Sequence, residues 1–271
     1  MFLGRIIKKF RAIYSTAILF VCFLLAVSIY LDILTLGSQQ IKVPWLTISS
    51  TQTLQLGLKI DFLSALMLLI VTLVSFLVHL FSIQYMRGDR NLEKYFAYLG
   101  LFTFSMVGIL LSTSLLMLFM FWELVGLSSY LLIGFWYNKP SAIAANKKAF
   151  ITNRIGDAGF LAGILIIYSY AGTLDFDSLL TWFADQKVIP SAWMFVMGIG
   201  LFLGCVGKSA QFPLQVWLPD AMEGPTPVSA LIHAATMVAA GIFLLARVFF
   251  MLNAEVLTVI CLLYTSDAAD D

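Results

Sequence analysis

Glu123, Arg154, Asp157, Lys208 and His233 are ionisable residues set inside long apolar stretches of the chain. A charge at mid-bilayer costs roughly 2.5–3.5 kcal/mol on insertion scales, so such groups persist where they pair, face a wet cavity or carry out a task. Glu123, within Phe121-Trp122-Glu123-Leu124, has no basic residue within one helical turn. Its carboxyl is either protonated or held ionised by a partner on another helix. The plainer reading is a structural glutamic acid bonded to backbone; the insertion cost favours a function. Lys208 lies deep in an apolar stretch and precedes Pro213. An ammonium taken out of water gives up its proton readily, so a lysine here both accepts and releases one. Pro213 lacks an N–H and frees the carbonyl of Ser209, which breaks or kinks the helix one turn beyond the lysine. Broken helices are tolerated in membranes where they line a cavity. Snorkelling to the interface is the alternative for Lys208, and the long apolar stem before it argues for function.

Arg154 and Asp157 are three residues apart, so they share a helix face and can pair, either as a local ion pair or as part of a path. His233 has Ser229 at i−4 and Thr236 at i+3 on nearly the same face. An imidazole titrates near neutrality in water and relays protons when hydroxyls flank it. In Gly224-Pro225-Thr226-Pro227, Thr226 reads as the N-cap and Pro227 as the first helical position. His79, with only Ser75 and Ser82 for company, reads as structural. One acid, one lysine and one histidine on separate helices describe a proton path rather than a chemical active site. A lysine held protonated by a carboxylate loses that support when the carboxylate is drawn to another cation, and the proton moves on.

The elements that must position these groups follow from composition. Of 271 residues, 61% are hydrophobic and 11% charged, with a formal net charge of +1. Soluble domains carry about 25% charged residues, so a soluble enzyme, a disordered chain and a nucleic-acid binder are all excluded. Cys22, Cys205 and Cys261 stand alone in apolar stretches, without the clustered thiolates that zinc or iron–sulfur ligation needs. Gly198-Ile199-Gly200 lies mid-helix and there is no Walker loop, which argues against a nucleotide site. Gly159 and Gly163, like Gly200 and Gly204, read as close helix contacts.

At roughly 20 residues per crossing the chain holds about seven helices. Residues 1–11 form a basic cytoplasmic segment with Arg5, Lys8, Lys9 and Arg11, and residues 12–251 form the membrane domain. Helices are predicted over about 12–36, 62–85, 150–171, 191–222 and 226–251, with two more between Tyr95 and Tyr137 separated at Ser112-Thr113-Ser114. Residues 37–61 read as an external hairpin-like loop, Lys139, Lys147 and Lys148 as a basic loop, and Asp175, Asp177 and Asp185 as an acidic loop. Lys42, Lys59 and Lys187 are the few cations of the opposite side, with Arg247 near that face, so the positive-inside rule gives one topology. Residues 252–271 begin an apolar segment that is too short to span, and they read as a truncated or non-native tail.

Three blocks carry a resemblance: Phe121–Phe135 (FWELVGLSSYLLIGF), Lys148–Asp157 (KAFITNRIGD) and Gly207–Gly241 (GKSAQFPLQVWLPDAMEGPTPVSALIHAATMVAAG). They are similar to the antiporter-like subunit L (chain 5) of NADH:quinone oxidoreductase, respiratory complex I, over residues 12–260. The resemblance implies an all-α, polytopic transmembrane bundle with a broken helix, the first repeat of an inverted-repeat fold. The second repeat and the lateral helix would then lie outside this sequence. It implies that Glu123 is the ion-pair glutamate, Lys208 the broken-helix lysine, His233 the connecting histidine, and Arg154 and Asp157 the paired residues. The implied function is proton translocation coupled to electron transfer elsewhere. No cofactor is expected on this chain, with FMN, iron–sulfur clusters, NADH and quinone on partner subunits. The expected partners are other membrane subunits of complex I and the lipid bilayer, without nucleic acid. A bacterial-type inner membrane is expected before a mitochondrial one. The large subunit of a multisubunit sodium/proton antiporter ranks second, a membrane-bound hydrogenase subunit lies within the same class, and a non-transporting scaffold is the reading from a different class.

Overall fold

The computed structural model describes residues 11–49, 52–185 and 189–267; the basic residues Arg5, Lys8 and Lys9, together with Lys187, lie outside them. Ten helices and one hairpin follow in order among these residues: α1 (Arg11–Leu36), β1 (Gln39–Ser49), β2 (Gln52–Ile60), α2 (Phe62–Tyr85), α3 (Leu92–Leu110), α4 (Leu115–Ile133), α5 (Pro140–Ala171), α6 (Phe176–Ala184), α7 (Ser191–Lys208), α8 (Thr226–Ala234), α9 (Met237–Val248) and α10 (Ala254–Asp267). Six segments are long and apolar enough to cross a membrane: α1, α2, α4, α5, α7 and residues Thr226–Met251. The expected seventh, α3, carries Glu93 in its first turn and falls outside that set. The chain is thus a multi-pass membrane protein, mostly helical, as expected.

Three helices that start at the hairpin end, α2, α4 and α6, are capped by side chains. Asp61 accepts from the Ser64 amide, Ser114 from Met117 and Asp175 from Ser178, each satisfying an N–H that the first turn leaves bare. β1 and β2 pair antiparallel, from Gln39 opposite Ile60 to Ser49 opposite Gln52, which gives the expected hairpin. Lys42 and Lys59 reach from it to Asp175 and Asp177, and Arg247 bonds Asp61. At the other, basic end, Lys148 pairs with Asp220 and Ser141 with Glu223, while Tyr85 meets Thr226. The loops sort into these two sets as the charge asymmetry requires.

Four expectations need correction. The basic loop of Lys139, Lys147 and Lys148 is largely helical, because α5 starts at Pro140 and runs 32 residues. At 1.5 Å per residue that is about 48 Å, longer than the roughly 30 Å hydrocarbon layer, so its first turns stand in water where lysine is at home. The acidic loop contains α6, with Asp175 as its cap. The helix predicted over 191–222 ends at Lys208 and gives way to short 3-10 turns at Gln215–Trp217 and Asp220–Glu223. The helix predicted over 226–251 is itself broken at Ala235–Thr236, and its cap is Pro225, with Thr226 the first helical residue. Of the tail, residues 254–267 form α10, whose Val256 packs against Gly198; residues 268–271 lie outside the described set.

α5 and α7 approach on glycine. A Cβ on Gly156 would stand 2.7 Å from the Leu203 carbonyl and 3.0 Å from Gly207 Cα. One on Gly200 would stand 2.7 Å from the Gly159 carbonyl. The expected small-residue contact therefore exists, and these two helices are in backbone register.

Candidate functional site

That register sets the site. Lys208, the last residue of α7, faces Asp157, one residue beyond Gly156 on α5. Lys208 is fully buried, and its Nζ stands 3.7 Å from Asp157 Oδ2, too far for a hydrogen bond. Neither that ammonium nor that oxygen has a hydrogen-bond partner. Asp157 is held by its other oxygen, which accepts from Trp122 Nε1 at 2.7 Å. Arg154 Nη1 is 3.8 Å from the same Asp157 Oδ2 and pairs directly with Glu123 on α4. The order is Glu123, Arg154, Asp157, Lys208, with charges of alternating sign.

Glu123 is the ninth residue of the 19-residue α4, so this row crosses near the middle of a helix about 28 Å long. Gly126, one turn on, leaves room for the lysine: a Cβ there would come 2.9 Å from Lys208 Nζ. The partner on another helix that Glu123 was expected to need is thereby identified. Glu123 pairs with Arg154, and the carboxylate beside Lys208 is Asp157. The spacing that put Arg154 and Asp157 on one face was legible, but cross-helix order was not.

The helix break lies nearer the lysine than Pro213 indicated. Ala210 adopts φ 51, and the Gln211 amide donates back to the Val206 carbonyl at 3.0 Å, an arrangement that closes a helix end. Trp217 Nε1 takes the Gly207 carbonyl at 3.0 Å. Trp122 and Trp217 were missed as site residues, although a buried indole N–H regularly seeks an acceptor. Ser209 Oγ donates to the Val238 carbonyl at 2.7 Å, so the break after Lys208 abuts the start of α9, just past the break at Ala235–Thr236.

His233 lies in the last turn of α8, and its two ring nitrogens are buried without hydrogen-bond partners. The hydroxyls expected to flank it do not bond to it: Thr236 donates to the Leu231 carbonyl, and Ser229 Oγ is also unpartnered. Among the described residues, no three His, Cys, Asp or Glu side chains converge as metal ligands would.

Residues 112–266 match the family described as NADH:quinone oxidoreductase/Mrp antiporter, transmembrane, and residues 45–96 match the complex I chain 5 N-terminus. The chain belongs to this family. Its curated relatives include NAD(P)H-quinone oxidoreductase subunit 5, chloroplastic, of Mesostigma viride, 50% identical over 235 residues (83% of this chain and 36% of the relative). NAD(P)H-quinone oxidoreductase chain 5 of a Synechocystis species is 54% identical over 199 residues, 72% of this chain and 29% of that one. The chain therefore spans about a third of the length of the relatives it matches. Among solved structures, the Mrp complex from a Dietzia species aligns with TM-score 0.70 at 26% identity, over 86% of this chain and 27% of that one. An archaeal membrane-bound sulfane sulfur reductase aligns with TM-score 0.78 at 25% identity, over 96% and 52%. The resemblance carried by the three sequence blocks is borne out, and the family's membrane fold accounts for the bundle.

Proposed function

We propose that this chain is part of the proton-translocating membrane subunit of an NADH:quinone oxidoreductase, moving protons along a path of Glu123, Lys208 and His233, with Arg154 and Asp157 setting the field around the lysine. Electron transfer, with its FMN, iron–sulfur clusters, NADH and quinone, belongs to other subunits on this reading. Other membrane subunits of that complex and the bilayer are its partners on this reading, in a membrane of the bacterial inner-membrane type. The observation that carries the reading is Lys208: wholly buried at a helix break, 3.7 Å from a carboxylate and without a hydrogen bond. A lysine kept for stability would be bonded; one left short of its partner is poised to change protonation state.

The row supplies the coupling. Arg154 cannot give up its proton. When Glu123 is protonated or drawn away, Arg154 is freed to turn onto Asp157. Trp122 fixes one Asp157 oxygen, so the carboxylate cannot follow Lys208. The field at Lys208 then becomes more positive, and its proton leaves. Return of Glu123 to Arg154 restores the first state.

Glu123→Gln and Lys208→Ala, made in the full-length parent, test this by quinone-linked NADH oxidation and proton pumping in vesicles. Loss of pumping in an assembled complex is expected from both. Normal pumping with normal assembly leaves a scaffold role instead. A second reading, the large subunit of a multisubunit sodium/proton antiporter, is favoured by the likeness to the Mrp complex. Sodium/proton exchange without NADH oxidation would select it.

A further inference from the structure

Ser64, Thr72, Ser75, His79 and Ser82 fall on one buried face of α2, and Ser75, His79 and Ser82 turn toward α3. Thr103 donates to Ser75 at 3.3 Å, the His79 ring lies 5.7 Å from that of Phe96, and Ser82 and Tyr95 hydroxyls are 2.9 Å apart. His79 Nδ1 is 2.8 Å from the Ser75 carbonyl. A carbonyl only accepts, so the neutral ring carries its proton on Nδ1 and a lone pair on Nε2. That Nε2 is buried without a partner in a fully buried residue. Leaving such an acceptor bare is costly where water is absent, and a histidine kept for packing would avoid it. The hydroxyl protons of three neighbours are already committed: Thr72 donates to Leu68, Ser82 to Val78, and Tyr95 therefore donates to Ser82.

Helix register gives the depth. α2 and the segment from α8 to α9 run antiparallel and are pinned at both ends, by Tyr85 with Thr226 at 3.2 Å and by Asp61 with Arg247. From the first pin, His79 is six residues along α2 and His233 seven along α8, about 9 and 10.5 Å. The two histidines of the chain thus share a depth on packed helices, and both keep ring nitrogens unpartnered.

We propose that His79 is a further proton-accepting station, exchanging a proton with His233, which lies at the same depth on a helix packed against α2. The proposal rests on the proton-translocating reading above. The proton leaves a ring nitrogen of the His233 imidazolium and adds to the His79 Nε2 lone pair. The Nδ1–H bond to Ser75 is kept, so nothing else has to break. Other titratable groups on the elements around α2 are Tyr14, Cys22 and Tyr30 of α1 and Tyr95 and Tyr98 of α3. Glu93 and Lys94 of α3 are exposed, and Asp32, Lys59, Asp61 and Arg247 belong to the hairpin end.

His79→Asn tests this in the complex that contains the full-length chain. Asparagine reproduces the Nδ1 donor to Ser75 but has no group that titrates. Protons pumped per electron are measured in vesicles from about pH 6 to 8, the range in which imidazole titrates, beside Lys208→Ala. The expected result is a fall of about twofold or more in that ratio and loss of its pH dependence, with assembly retained. A wild-type ratio and profile in His79→Asn, while Lys208→Ala abolishes pumping, overturns the His79 assignment alone. Normal pumping in Lys208→Ala overturns the underlying function. His79→Gln, which offers an amide near the Nε2 position, is the second variant; failure of both to assemble makes His79 structural and overturns the proposal.

Discussion

Two sets of charges in this molecule use the same residue types to opposite ends. At the hairpin end, Lys42 lies 2.8 Å from Asp175 and 3.3 Å from Asp177, Lys59 lies 2.5 Å from Asp177, and Arg247 bonds both Asp61 and Ser64. These partners are part-exposed, and each ammonium is hydrogen-bonded. In the bundle centre, Lys208 is wholly buried, yet its nearest carboxylate stops at 3.7 Å. Burial should demand the tighter pairing, since an unpaired charge costs most where water is absent. The order is reversed, which separates a clamp from a group held ready to lose its charge.

The largest effect should come from Asp157→Asn. Asparagine can still accept from Trp122, so packing survives, but Lys208 loses its neighbouring carboxylate. Removing one partner of a buried pair costs about 3–5 kcal/mol, and 1.4 kcal/mol is tenfold in an equilibrium. Lys208 should then be held neutral, and pumping should fall by about tenfold or more in an assembled complex. Pumping at the wild-type rate would mean the central row is as inert as the clamp.

The next effect acts on geometry. Gly156→Ala drives a methyl against the Leu203 carbonyl and Gly207, both backbone atoms of α7, whereas a Cβ on Gly100 meets nothing within 4 Å. Overpacking of this kind costs about 1–3 kcal/mol. It also moves Lys208 relative to Asp157. Gly156→Ala should lower thermal stability and pumping together, measured against a silent Gly100→Ala. Equal behaviour of the two would show that α5–α7 contact does not set the lysine's distance.

The helix ends at Leu36, Phe62 and Tyr85, the hairpin, and the turn at Ser112-Thr113-Ser114 were legible because apolar run length and capping residues are local signals. So was the shared face of Arg154 and Asp157. The partner of Glu123 was not, because which residue of α5 meets α4 is set by packing between helices, and one helix's periodicity does not encode it. The break at Ala235–Thr236 was also missed: no proline or glycine marks it. It shows in the structure as Thr236 donating to the Leu231 carbonyl five residues back, which is a consequence of the fold.

The smallest effect belongs to the clamp. Asp61 is pushed up by burial but held below the usual carboxylate range by Arg247, the Ser64 amide and Lys59. Asp177 is likewise pushed up by burial and held low by Lys59 and Lys42. Lys42 is pushed down by burial, yet lies above the ordinary lysine value through Asp175 and Asp177. A depressed carboxyl adds stability above its unfolded value of about 3.9 and loses it as pH falls through the folded one. A raised lysine adds stability below about 10.4 and loses it as pH rises through its folded value. The clamp therefore has no switch between those limits. Asp177→Asn leaves Lys42 its bond to Asp175, and part-exposed pairs of this type are worth about 0.2–1 kcal/mol. Hydrogen exchange in β1 and β2 should quicken slightly, evenly from pH 5 to 9, with pumping unchanged. Were Asp177→Asn to stop pumping as Asp157→Asn does, distance from carboxylate to ammonium would no longer distinguish a clamp from a proton carrier, and the central row would lose its special standing.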